Sequence, residues 1–252
     1  MTDQKTMAYI NLYAVLGTLE NLCELAPEAG TLLKNKKPIS IGFDVKGGPS
    51  ATITFANGRC RMEQGCDKCQ VKLPFSSPEK FNGLIDGTVT PIPSKGFTHL
   101  PFLLKQFTPL TDLLNKYMRP DPEDLKDPDF FRISTTLMLY TIGVAIAQIG
   151  NNDEIGKFSA SNIVDGSVKL GVKDGPAVEI RCKDHRLLAL KHVPETYRAS
   201  MMFDSIETAR ALFEGTVNAL ECVGTGKVEM RGLASMLDNV NRILDRVALY
   251  LA

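Results

Sequence analysis

The segment Val45-Lys46-Gly47-Gly48-Pro49 returns as Val172-Lys173-Asp174-Gly175-Pro176, an offset of 127 (172 − 45). At the same offset Leu12-Tyr13 returns as Leu139-Tyr140, and Val15 as Ile142. Further on, Phe75, Ser77, Glu79, Leu84, Gly87, Thr88 and Val89 return as Phe203, Ser205, Glu207, Leu212, Gly215, Thr216 and Val217. That second offset is 128 (203 − 75), so one residue is inserted between the two blocks. Chance matches do not hold register over most of each half. The period far exceeds the ~20–50 residues of stacking repeats, so each copy is a whole domain with its own core. The 252 residues agree, being more than one ordinary domain of ~100–150 residues. Arg119-Pro120-Asp121-Pro122-Glu123-Asp124-Leu125-Lys126-Asp127-Pro128 combines three prolines with dense charge and reads as a linker. The sequence therefore predicts domains at 1–119 and 130–252, joined through 120–129.

Each copy carries the same order of local signals. A helix opens it, over residues 7–25 or 133–149. Alternating segments follow: Ser167–Val172 and Ala177–Cys182 flank Asp174-Gly175-Pro176, a period of two around a turn signal that predicts an antiparallel hairpin. Residues 39–45 and 51–55 are the first-copy equivalents, with Asn57-Gly58 as the next turn. After a strand ending at Phe75 or Phe203, Ser77-Pro78-Glu79 and Ser205-Ile206-Glu207 are helix starts, and Gly87 and Gly215 are the matching stops. Leu233, Met236, Leu237, Val240, Ile243, Leu244, Val247 and Leu251 form one apolar stripe on a last helix, with Asp238 and Arg242 paired on its other side. The expected fold class is α+β, two tandem domains, each a mostly antiparallel sheet of about five strands covered by helices.

Composition narrows the function. Lys+Arg and Asp+Glu balance at 29 each, so no basic surface is available to neutralise phosphates and nucleic acid is not an expected partner. Residues 133–152 carry no charge and are long enough to span a bilayer. Their first-copy counterpart contains Glu20 and Glu24, so the run reads as a buried soluble helix rather than a membrane insertion. The N-terminus lacks the order of a secretory signal, and six cysteines are too dilute for a disulfide scaffold; both predict a cytoplasmic protein with reduced thiols.

The Ser-x-Glu helix ending in glycine, the strand Gly226-Lys227-Val228-Glu229-Met230-Arg231-Gly232 and the amphipathic last helix resemble the sterol carrier protein type 2 family. The hairpin at Val172-Lys173-Asp174-Gly175 fits as well, and the resemblance covers nearly all of 130–252. It implies a five-stranded sheet with an apolar tunnel under its helices that takes fatty acyl chains, acyl-CoA or sterol- and isoprenoid-like lipids. It also implies no catalytic residue, no metal and no cofactor. On that resemblance the ligand-lining residues would be Met202, Phe203, Leu212, Phe213, Met230, Met236, Leu237, Val240 and Leu244. The first copy departs from the pattern. At the same offset Thr98-His99-Leu100-Pro101-Phe102-Leu103 stands where the last strand should be, and proline removes a ladder donor. Lys95-Gly96-Phe97 is then a shifted remnant of that strand.

Two other function classes compete with an apolar-ligand carrier. One is an interaction module without an open cavity, for which a homo-oligomer would be one outcome. The other is a cysteine-dependent metal or redox protein built on Cys66-Asp67-Lys68-Cys69. Structural zinc wants four ligands, usually as two pairs, and no second pair is present; a surface dithiol is the plainer reading. No serine stands in a Gly-x-Ser-x-Gly setting, His185 falls at a hairpin tip, and Gly224-Thr225-Gly226-Lys227 has Val228 where a phosphate loop needs Ser or Thr. An enzyme is not expected.

Overall fold

The computed structural model describes residues 2–35 and 37–251. The chain divides into two compact units, Met1–Ile133 and Ser134–Ala252.

The first unit opens with helical turns from residue 4 to residue 25. These are α1 (Gln4–Tyr9), a π segment (Ile10–Val15), a 3-10 turn (Leu16–Thr18) and α2 (Leu19–Leu25). Asp3 caps α1 by accepting from the amides of Lys5 and Thr6. Then α3 (Pro27–Leu32) leads into β1 (Ile39–Val45), β2 (Ser50–Ala56), β3 (Arg59–Gln64) and β4 (Val71–Phe75). The sheet order is β3-β2-β1-β4, antiparallel except for the parallel β1–β4 pair. Ile41, Phe43 and Val45 share one face with Ile53, Phe55, Val71, Leu73 and Phe75, and all are buried. That face is the core of the unit, because directly paired residues point the same way. Helix α4 (Pro78–Ile85) follows, then a helical run from residue 100 to residue 118: α5 (Leu100–Phe102), a π segment (Leu103–Phe107) and α6 (Thr108–Met118). Phe43 and Phe55 meet Phe81, Phe102 and Phe107 in it and α4, at ring separations of 5.5–6.2 Å.

Most of α7 (Pro128–Asn152) belongs to the second unit, followed by α8 (Glu154–Ser161). Strands β5 (Gly166–Val172), β6 (Ala177–Lys183), β7 (Arg186–Leu190), β8 (Ala199–Phe203) and β9 (Val228–Gly232) pair in the order β7-β6-β5-β8-β9. Between β8 and β9 lie α9 (Ile206–Phe213) and α10 (Ala219–Gly224), and α11 (Ala234–Leu251) closes the chain. Met236, Val240, Ile243 and Val247 of α11 are buried, each side chain worth ~1.5–3 kcal/mol of apolar burial. Helix α7 is long and apolar enough to cross a membrane by length and composition, and 72% of its most apolar window is buried inside the protein. Its Gly143 and Gly150 admit Val178 and Leu187: a Cβ on either would fall 2.6 and 2.4 Å from those side chains. The helix is packed on its own sheet as a core element.

The two sheets share their register residue by residue. The pairs Ile41↔Ile53 and Phe55↔Cys60 become Val168↔Ile180 and Cys182↔Leu187 at +127. From the fourth strand on, the shift is +128: Val71 stands beside Ile41 as Ala199 stands beside Val168, and α4 maps onto α9. Ser77 and Ser205 cap these helices by accepting from the amides of Lys80 and Thr208.

The expectation of about five strands in each sheet needs correcting for the first unit, whose sheet has four. A fifth survives as one bridge, Lys72↔Lys95, in which the Lys72 amide donates to the Lys95 carbonyl. Gly96 then has φ +89°, and a Cβ there would lie 2.3 Å from the Gln70 carbonyl oxygen; Gly232 has φ +95°, with 2.2 Å to that of Arg198. These glycines are therefore equivalent, at an offset of 136 (232 − 96) rather than 128. The eight missing residues remove α10, and Pro101 stands in the first turn of α5, where its lost donor is unneeded.

Candidate functional site

The edge of the second sheet carries a surface concavity. Asn218 caps α10 by accepting from the amides of Leu220 and Glu221, and the chain leaves α10 through Gly226 at φ +78°. It then runs as β9 against β8 with Met201↔Met230 and Phe203↔Val228 paired. At Gly232 the backbone passes so close to Arg198 that no side chain fits, and the Leu233 amide donates to the Arg198 carbonyl at 3.1 Å. This turn aims α11 back across the sheet. Where strand and helix diverge lies a concavity of about 370 Å³, bounded by Met230, Arg231, Gly232, Leu237, Asp238 and Asn241. Leu237 is its apolar floor and Met230, 41% exposed, its wall. The rim is charged: Arg231 pairs with Glu229, and Arg242 with Asp238 at 3.0 Å. Val217, Leu220, Val223 and Leu233 are also exposed, Leu220 by 83%.

The residues singled out from the sequence fall into three groups. Met230 and Leu237 meet in the concavity. Phe203, Met236 and Val240 lie behind it in the buried layer of α11 and the sheet, and Phe203 packs edge-on against Phe213 at 5.5 Å. Leu212, Phe213 and Leu244 are half-buried. Met202 stands apart: it is paired with Glu229, so it points from the face opposite to Phe203 and Met230. Met236 is 0% and Val240 2% exposed.

Two buried carboxylates hold the second unit together, and neither was singled out by the sequence. Asp153 caps α8 and accepts from the Gly156 amide, Arg246 and the Tyr250 hydroxyl at 2.7–2.8 Å. Burial pushes its carboxyl up, but Arg246, the Gly156 amide and Tyr250 together bring it below the usual carboxylate range. Glu179 accepts from Arg181 and Ser167 and meets His192 Nε2 at 2.9 Å; Arg181 and Ser167 hold its carboxyl down against burial. An Asp after Asn151-Asn152 was readable as a helix cap. Arg246, 93 residues away, was not.

The sequence-adjacent cysteines also differ from expectation. Cys66 and Cys69 form no surface dithiol: both are buried in the loop from β3 to β4, folded over Gly42, where a Cβ would touch the Cys69 sulfur. Burial and Asp44 push the Cys66 thiol up. Cys23 and Cys60, 37 residues apart, have their sulfurs at 3.8 Å. Among the described residues no group of three or more His, Cys, Asp or Glu side chains is arranged to hold a metal ion. His185 sits exposed in the turn between β6 and β7, at φ +60°.

No family model matches the chain, and no curated protein matches it. Solved structures similar to it include the sterol carrier protein domain 2 of Helicoverpa armigera, 17% identical, covering 51% of this chain and 92% of that one with a TM-score of 0.34. Sterol carrier protein 2 from Yarrowia lipolytica, in its apo form, is 20% identical over 43% of this chain and 90% of that one, with a TM-score of 0.33. Palmitated sterol carrier protein 2-like 2 from Aedes aegypti is 15% identical over 45% and 94%, with a TM-score of 0.32. Each neighbour is matched nearly whole by about half of this chain.

Proposed function

We propose that the second unit binds one apolar chain, of the fatty acyl, acyl-CoA or isoprenoid kind, without catalysing a reaction on it. The observation that carries this reading is the concavity at the β9–α11 divergence. Its floor, Leu237, belongs to the same helical stripe as Met236, Val240 and Leu244. A chain seated against Met230 and Leu237 extends inward by parting α11 from β8, exchanging one apolar contact for another. Phe203, Leu212 and Phe213 then border its path. Methionine suits such an exchange, being unbranched and polarisable. About 370 Å³ is at the lower end of ligand pockets, ~300–1,000 Å³, so entry requires widening. The two units are read as products of one duplication, with the first serving as a companion without the β9 edge. Six cysteines outside any disulfide support placing the protein in the reducing cytoplasm.

The test is mass spectrometry of an organic extract from purified protein beside a matched control protein. The expected result is a stoichiometric acyl or isoprenoid species that Met230→Trp, on the exposed strand, reduces several-fold. A clean extract, with no displacement of a fluorescent fatty acid, would remove this reading. An interaction module without an open cavity would then be the better reading.

A further inference from the structure

The sulfurs of Cys23 on α2 and Cys60 on β3 lie 3.8 Å apart. Strand β3 is the edge of the first sheet, and α2 runs along it: Glu20 accepts from the Met62 amide at 2.7 Å, and a Cβ on Gly17 would stand 3.5 Å from the Met62 sulfur. Cys60 is paired with Phe55 and therefore points from the helix-covered face, toward Cys23. Both thiols are half-buried, so a small oxidant reaches them, unlike buried Cys66, Cys69, Cys182 and Cys222. Hydrogen bonding from Cys60 holds the Cys23 thiol below its ordinary value, against burial and the nearby Glu24 and Glu20.

The second unit supplies a comparison within the same chain. At +127 Cys23 becomes Gly150 and Cys60 becomes Leu187, and these meet at the same helix-on-strand crossing, a Cβ on Gly150 falling 2.4 Å from Leu187 Cδ1. There the crossing is filled by an aliphatic side chain against a glycine. Packing at this place does not require two thiols, yet the first unit has them.

We propose that Cys23 and Cys60 are a peroxide-oxidisable dithiol that closes to a disulfide stapling α2 to the edge strand β3. The Cys23 thiolate attacks one oxygen of hydrogen peroxide, giving a sulfenic acid and hydroxide. The Cys60 sulfur then displaces the sulfenic oxygen, which leaves as water once protonated. Overall two thiols and one peroxide give one disulfide and two waters, with the sulfurs oxidised and the peroxide reduced. The sulfurs need to close by about 1.8 Å, given a bond of ~2.05 Å.

The experiment treats the full chain with a few equivalents of hydrogen peroxide and maps linkages by mass spectrometry of an unreduced digest. The expected product has lost two hydrogens, carries a Cys23–Cys60 cross-link and reverts with dithiothreitol. In Cys60→Ser, Cys23 should instead be trapped as a sulfenic acid by dimedone, roughly tenfold faster than any remaining cysteine. The double variant Cys23→Gly/Cys60→Leu, which copies the second unit's own packing, should fold and show no loss of hydrogens. A Cys66–Cys69 linkage, no linkage at all, or an unchanged mass loss in that double variant would each overturn the assignment.

Discussion

Asp153 combines three roles in one carboxylate: it caps α8, pairs with Arg246 and accepts from Tyr250. Its carboxyl lies below the usual range, so the sign of the pH effect follows directly. The stabilisation is fully present above the unfolded value of about 4 and is lost as pH falls through the lower folded value. Asp153→Asn leaves the Arg246 guanidinium half-buried with no counter-charge from this position, and should cost about 2–4 kcal/mol near neutral pH. The cost should shrink as the wild type is acidified below pH ~4. Chemical denaturation of both proteins across that range measures it; a constant difference would mean that the charge contributes nothing. At this scale the sequence was readable where the partner is local. Ser77 and Ser205 were placed as caps because the donors they satisfy are three residues on, whereas Cys23–Cys60 and Asp153–Arg246 depend on chain crossings that no local pattern records.

Among elements, the repeat made the hairpins, the capped helices and the amphipathic last helix legible, and the Asp238–Arg242 pair is present at 3.0 Å. It failed between α4 and the sheet edge. A fixed offset of 128 set Pro101 opposite β9, while the glycines with positive φ show the true correspondence, Gly96 with Gly232. The absence of a counterpart to α10 in the first unit leaves no trace in residue type, only in spacing. Both glycines are held by the same close approach, so Gly96→Ala and Gly232→Ala should each destabilise their own unit by about 2–4 kcal/mol, more than a surface substitution costs. Gly232→Ala should in addition shift α11 and weaken binding at the concavity, which Gly96→Ala should leave alone. Thermal unfolding together with fatty-acid displacement distinguishes the two effects. What the stripe of the last helix faces was not readable, because an apolar stripe has the same period whether it faces a cavity or a core.

The whole molecule has two cores, each enclosed by its own sheet and helices. A fragment of residues 127–252 retains Asp127, whose carboxylate accepts from the Asp129 and Phe130 amides at the start of α7, along with every strand of the second sheet. It should unfold in a single cooperative transition, with coincident far- and near-ultraviolet circular dichroism. Non-coincident transitions would show that the second core is incomplete alone.

Helix α7 has a consequence for how the chain is made. Asn151 near its end exchanges hydrogen bonds with Leu187, 36 residues later, and Gly143 and Gly150 rest on side chains of β6 and β7. The most apolar helix is therefore synthesised before the strands β6 and β7 on which its glycines rest. At ~5–20 residues per second its partners follow only after a few seconds, an interval in which the nascent chain offers membrane-targeting factors and chaperones a greasy, uncharged segment. The pace of translation through residues 153–190 thus decides how long a buried core helix can be mistaken for a membrane anchor.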